Sequence, residues 1–135
     1  TLGRAFAGLP NLQGDPASIP EATIDLYRQP LLDSGNNKAP LAMMRMVADG
    51  PNHPSAQRMR FIGEYVAGLD IPAEIVWGMN DPILGGLLVN MQKNFPRAPV
   101  TETPAGHFLQ EEVPLEIAAA IMRVVDAASL TSINP

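Results

Sequence analysis

The sequence predicts an α/β protein with a parallel sheet, because two short strand-like runs in its second half alternate with helix-like stretches. The first run, residues 73–78, is rich in β-branched and aromatic side chains and ends at a glycine turn. The second, residues 99–103, is weaker and ends before Pro104. Residues 1–70 contain no period-2 alternation, so we expect only helices and loops there.

In the first half, residues 18–21 read Ser-Ile-Pro-Glu, a combination that predicts a helix start. The serine would cap the free amides, the glutamate would complete a capping box, and the proline suits the first turn. This helix should end before Pro30, since the residue preceding a proline is pushed away from helical geometry. Further helices are predicted over residues 41–48 and after a capping Ser55.

In the second half, the run ending at Gly78 is typical of a strand buried on both faces of a parallel sheet. A helix is predicted over residues 86–95, stopped by Pro96, and another begins at Pro114. Apolar residues at helical spacing predict the inward stripe of that last helix: Leu115, Ala118, Ile121, Met122, Val125 and Ala128.

Composition narrows the classes of function. The chain has 135 residues and a formal charge of −5, with nine scattered basic residues, which argues against a nucleic-acid partner. No run approaches the about 18 apolar residues of a membrane span, and the first residues do not resemble a secretory signal. Cysteine is absent, which fits a reducing, cytoplasmic location, and with only two histidines a zinc site would need at least two carboxylates as further ligands.

Two turns follow the predicted strands, and each carries a residue capable of proton transfer. Asp81 lies in the turn after the first strand, and His107 lies in the turn after the second. In a parallel sheet both turns emerge at the same edge, so the two side chains should come within hydrogen-bonding reach. A carboxylate bound to one imidazole nitrogen would leave the other free as a general base. Separately, each residue could also be an ordinary turn residue.

The wording of these segments resembles a known family. Residues 75–84, Ile-Val-Trp-Gly-Met-Asn-Asp-Pro-Ile-Leu, and residues 105–114, Ala-Gly-His-Phe-Leu-Gln-Glu-Glu-Val-Pro, resemble the C-terminal half of the α/β-hydrolase superfamily. They are most similar to its haloalkane dehalogenase and epoxide hydrolase branch. The resemblance implies a helical cap segment over residues 1–66 and the C-terminal part of the hydrolase core, with the last two parallel strands, over residues 67–135.

The resemblance also implies roles. His107 would be the general base and Asp81 the acid that orients it, while an external carboxylate nucleophile forms an alkyl ester that water then hydrolyses. Phe108 and Leu109, next to the histidine, are candidates for binding a small apolar substrate, which is halogenated in the dehalogenases. Neither a metal nor an organic cofactor is implied. Trp77 is predicted to be core rather than a halide ligand, and Met43, Met44, Met46 and Met59 are predicted to pack within the cap.

One part of the family pattern is missing. The nucleophile elbow, G-x-D-x-G or G-x-S-x-G, does not occur, and the nearest segment, residues 68–72, has a proline and a following strand that do not suit an elbow. The nucleophile is therefore expected outside this chain. An epoxide hydrolase, which would use two tyrosines such as Tyr27 and Tyr65, a serine esterase, and a non-catalytic binding remnant remain alternatives.

The predicted strand count bears on the chain as a whole. Two strands and their helices do not complete a doubly wound sheet, so the first strand should expose an edge and apolar surface. We expect a fragment, a cleaved product or a subunit, completed by the N-terminal half of the fold or by another chain.

Overall fold

The computed structural model describes residues 6–35 and 38–131 and has a mixed α/β architecture. Strand β1, Ile75–Gly78, pairs in parallel with β2, Val100–Thr103, in a register that sets Ile75 opposite Val100 and Gly78 opposite Thr103. Within the described ranges the sheet contains these two strands, and residues 6–35 and 38–66 contain none. The predicted α/β class and the parallel pairing are confirmed.

Helices make up much of the rest of the described chain. They are α1 Glu21–Asp33, α2 Ala39–Met46, α3 Ala56–Ala67, α4 Leu88–Asn94, α5 Leu109–Glu112 and α6 Pro114–Thr131. Single 3₁₀ turns occupy Leu9–Leu12, Pro16–Ser18 and Gly85–Leu87. No helix in the described part of the chain is long and apolar enough to cross a membrane.

Helix α1 corrects two predictions at its ends. It continues through Pro30 to Asp33, and the amide of Ser34 donates to the Pro30 carbonyl at 3.1 Å, so the turn closes beyond the proline. Ser18 does not cap the helix, because its hydroxyl donates to the Asp15 carbonyl at 2.7 Å and lies within the preceding 3₁₀ turn. Pro30 lies at the exposed surface, where water can replace the lost helical bond.

Helix α6 corrects the predicted apolar stripe. Its covered face carries Ala120, which is 5% exposed, flanked by the half-buried Ile117 and Val124. Leu115, by contrast, is 79% exposed, and the rest of the predicted stripe is exposed too. The covered face of the helix lies against β1. Arg123 ties the helix to the residue just before β1 through two 2.6 Å bonds to Glu74.

The apolar core is small. Its buried members in the described ranges are Ile19, Ile24, Ala56, Ile75, Leu88, Ala105, Val113 and Ala120. Val76 and Trp77 are only half-buried, so β1 is not covered on both faces as predicted. The Trp77 indole N–H donates to the Gly85 carbonyl at 3.0 Å, which places its polar atom inside the chain's own turn. The predicted cap methionines do not pack inward: Met43, Met44, Met46 and Met59 are all exposed.

Candidate active site

Asp81 is held by the turn that follows β1. Its Oδ1 accepts from the amides of Ile83 and Leu84 at 2.7 and 3.1 Å, and its main-chain carbonyl accepts from Gly85 at 3.0 Å. These bonds fix both the backbone and the side-chain rotamer. The second carboxylate oxygen, Oδ2, is thereby aimed away from the turn and remains available to another group.

That group is His107. Its Nδ1 lies 2.9 Å from Asp81 Oδ2, so the structure brings together the two residues that the sequence placed at the same sheet edge. The Asp81 side chain is 5% exposed and the imidazole 28%. An ionised carboxylate only accepts, so the proton in this bond belongs to Nδ1. His107 Nε2 has no hydrogen-bond partner among the described residues, and its lone pair is free to take a proton.

The electrostatics of the pair favour an ionised aspartate. Burial by itself raises the pKa of Asp81, but the hydrogen bonds from His107, Ile83 and Leu84 lower it by more. The net pKa lies below the ordinary aspartate value. An ionised carboxylate at this position stabilises the imidazolium that forms when Nε2 accepts a proton.

Asn80 and Gly78, which sequence reasoning did not select, align the two turns. The Asn80 amide donates to the Ala105 carbonyl at 3.1 Å, and its side chain donates to the Pro104 carbonyl at 2.7 Å. A Cβ on Gly78 would stand 2.5 Å from the Gly106 carbonyl oxygen, so only glycine allows this approach. Both residues lie inside the quoted motif, where the position of Gly78 at the end of the strand and of Asn80 directly before the aspartate was the available signal.

The two predicted substrate-binding residues point to different places. The Phe108 ring packs edge-on against His107, with the ring centroids 5.3 Å apart. It also packs against the Tyr27 ring, with the centroids 5.7 Å apart. Leu109 instead lines an apolar groove of about 400 Å³ between β1 and α6, to which His107 does not contribute. Phe108 is therefore the one of the two that borders the imidazole.

Tyr27 brings helix α1 to the same turn. Its hydroxyl donates to Glu111 at 2.6 Å and accepts from the Gln110 side chain at 3.0 Å. The bond to Glu111 raises the pKa of Tyr27, although the bond from Gln110 opposes it. The tyrosine thus braces Phe108 while its own hydroxyl is occupied.

Other polar groups lie away from the dyad. His53 lies in a turn, where its ring accepts from the Ser55 amide at 3.0 Å and its Nε2 lies 3.1 Å from the Arg45 carbonyl. A second cavity of about 550 Å³ opens near the start of β1, at the opposite end of the strands from His107. In residues 6–35 and 38–131, no three histidine, aspartate or glutamate side chains converge in a way that could hold a metal ion.

Comparisons with protein-family models, with curated proteins and with solved structures found no match to this chain. The resemblance to α/β-hydrolases therefore stays a prediction from the two sequence motifs. An oriented imidazole with a free Nε2 beside a buried carboxylate is suited to remove a proton from water or from a hydroxyl nucleophile.

Proposed function

We propose that this chain supplies the histidine base and the orienting acid of an α/β-hydrolase, and that the reaction is hydrolytic carbon–halogen cleavage of the haloalkane dehalogenase type. The observation that supports it most is the 2.9 Å bond from His107 Nδ1 to Asp81 Oδ2 at the carboxyl ends of two parallel strands. The bond leaves Nε2 as the only ring nitrogen able to accept a proton.

In the proposed reaction, a carboxylate outside this chain attacks the carbon that bears the halogen. A carbon–oxygen bond forms, the carbon–halogen bond breaks, and halide departs with the bonding electron pair. His107 Nε2 then takes a proton from water, whose oxygen attacks the ester carbonyl carbon. The ester bond then breaks, and the imidazolium returns its proton to the departing alkoxide, which leaves as the alcohol. The carboxylic acid that remains loses its proton to water, so alkyl halide and water give halide, alcohol and one proton, and both the carboxylate and His107 are regenerated.

The proposal includes a partner, because the nucleophile and the remaining sheet must come from elsewhere: the N-terminal half of the fold or a complementing chain. In the described ranges β1 has a strand neighbour on one edge only, and the apolar groove beside it includes Ile121 and Val125, each about half exposed. Both features suit an added apolar strand. A cytoplasmic location is part of the proposal, since the chain lacks cysteine.

The tyrosines give little support to the epoxide hydrolase alternative. That chemistry needs two hydroxyl groups directed at one epoxide oxygen. The Tyr27 hydroxyl is already bound to Glu111 and Gln110, and Tyr65 is 64% exposed. We therefore retain the dehalogenase proposal as the first to test.

The test follows halide release from a brominated alkane by the natural protein as isolated, together with any polypeptide that co-purifies with this chain. We expect His107→Phe to stop steady turnover, since a general base contributes about 10²- to 10⁴-fold to the rate. His53→Phe, which removes the chain's other histidine, is the matched control and should turn over like the wild type. Equal turnover by both variants, or no halide release by the wild type, would refute the proposal.

A further inference from the structure

In the turn that carries His107, three consecutive main-chain amides donate hydrogen bonds to other segments of the chain. The Gly106 amide donates to Glu112 Oε2 at 2.5 Å, the His107 amide to the Leu12 carbonyl at 2.7 Å, and the Phe108 amide to Gln13 Oε1 at 2.9 Å. Each acceptor comes either from helix α5 or from the segment at residues 12–13. The backbone under the imidazole is thus fixed independently of Asp81.

Glu112 is the hub of this arrangement. Besides Gly106, its carboxylate accepts from the amides of Gly14 at 3.1 Å and Asp15 at 2.7 Å. Charge-assisted bonds to main-chain amides are among the stronger hydrogen bonds in proteins. One side chain therefore ties the histidine turn to residues 14 and 15, which lie 98 and 97 positions from Glu112 in the sequence.

The histidine turn and the segment at residues 12–14 also approach each other closely. A Cβ on Gly106 would stand 2.2 Å from the Leu12 carbonyl oxygen, and one on Gly14 would stand 2.1 Å from the Pro104 carbonyl oxygen. Gln13, only 7% exposed, adds to this contact between the two segments. Its side chain donates to the Phe108 carbonyl at 3.3 Å and to the Ser18 hydroxyl at 3.1 Å.

We infer that Glu112 is a positioning residue for His107: by binding the amides of Gly106, Gly14 and Asp15, it sets the turn so that Nδ1 faces Asp81 and Nε2 stays free. Asp81 is already fixed by its own turn, so the geometry of the dyad depends on where the histidine backbone is held. The functional weight of this inference rests on the proposed role of His107 as a base. Misplacement by about 1 Å can cost on the order of 10²-fold in rate.

The test is ¹⁵N NMR of the His107 imidazole, at a pH where the ring is neutral. In the wild type we expect one tautomer, protonated at Nδ1 and bare at Nε2. In Glu112→Gln the Nε2 resonance should move toward its protonated value as the single tautomer is lost. Glu116→Gln removes the same charge from an exposed position at the start of α6 and should keep the wild-type spectrum.

A single tautomer in Glu112→Gln would overturn the inference, and so would loss of the tautomer in Glu116→Gln. Gln13→Leu provides a second variant, expected to disturb the tautomer through the Phe108 amide. If Glu112→Gln and Gln13→Leu both fail to fold, Glu112 serves global stability and the inference is likewise overturned. The spectrum needs no substrate, so absence of hydrolysis by the wild type would refute the proposed function and leave the positioning result standing.

Discussion

At the scale of the residue, Asp81 binds two sets of donors with its two carboxylate oxygens. Oδ1 accepts from the amides of Ile83 and Leu84, and Oδ2 accepts from His107. The sequence offered turn chemistry and catalysis as separate explanations for this aspartate. In the structure, the hydrogen bonds within the turn hold the carboxylate in place for the histidine. The turn chemistry therefore provides the geometry that the proposed catalysis needs.

The lowered pKa of Asp81 predicts an acid-dependent loss of stability. Because the folded pKa lies below the ordinary value of 3.8, the folded state gains stability above that value and loses it as pH falls through the folded pKa. Asp81→Asn should therefore flatten the fall in unfolding free energy between about pH 5 and pH 2. Urea unfolding across that range measures the slope.

Asp49→Asn, at an exposed position, is the control for this experiment and should retain the wild-type slope. Parallel profiles for wild type and Asp81→Asn would contradict the assigned pKa direction. In the active protein, the same asparagine would favour the wrong imidazole tautomer, with a loss in kcat of up to about 10⁴-fold, as in serine proteases.

The residues that the sequence analysis missed make contacts between segments that are distant in the sequence. Asp81 and His107 could be selected because each directly follows a strand. Gln13 binds Phe108 across 95 positions, and no local pattern distinguishes this glutamine from an exposed one. Contacts of this kind depend on how separate segments pack, which periodicity does not contain.

At the scale of the element, the sequence predicted which segments form strands and which form helices. It predicted the ends of these elements less well. The strands and α6 begin within about two residues of their predicted positions because prolines and glycines mark their ends. For α6, spacing identified residues that share a face but not which face meets the sheet. The covered face is the one that carries Ala120, and its position against β1 depends on tertiary packing that the spacing does not contain.

Helix α1 yields a prediction because Pro30 lies within it, where it removes one helical hydrogen bond. Pro30→Ala should stabilise the protein by about 1 to 3 kcal/mol, as it restores the donor at an exposed site. Thermal unfolding measures the gain. Pro114→Ala is the control: it lies at the first residue of α6, where proline is favoured, and should give no stabilisation. Equal effects of the two changes would contradict this account of α1.

At the scale of the whole molecule, much apolar surface is uncovered for so small a core. Large hydrophobic side chains on α2, α3 and α6 are more than half exposed, including Met44, Phe61 and Leu115. In addition, one edge of β1 has no strand neighbour in the described part of the chain. Apolar surface of this extent is typical of an interaction site. It agrees with the proposal that another polypeptide segment completes both the sheet and the site.

The central claim is that His107, oriented by Asp81, activates the water that cleaves an ester formed on a nucleophile outside this chain. Intact-mass spectrometry of the protein as isolated, after incubation with a brominated alkane, tests it most directly. The account predicts that His107→Phe accumulates an adduct heavier by the alkyl group less one hydrogen, while the wild type shows no lasting adduct. Halide release by His107→Phe at the wild-type rate, with no adduct, would contradict it.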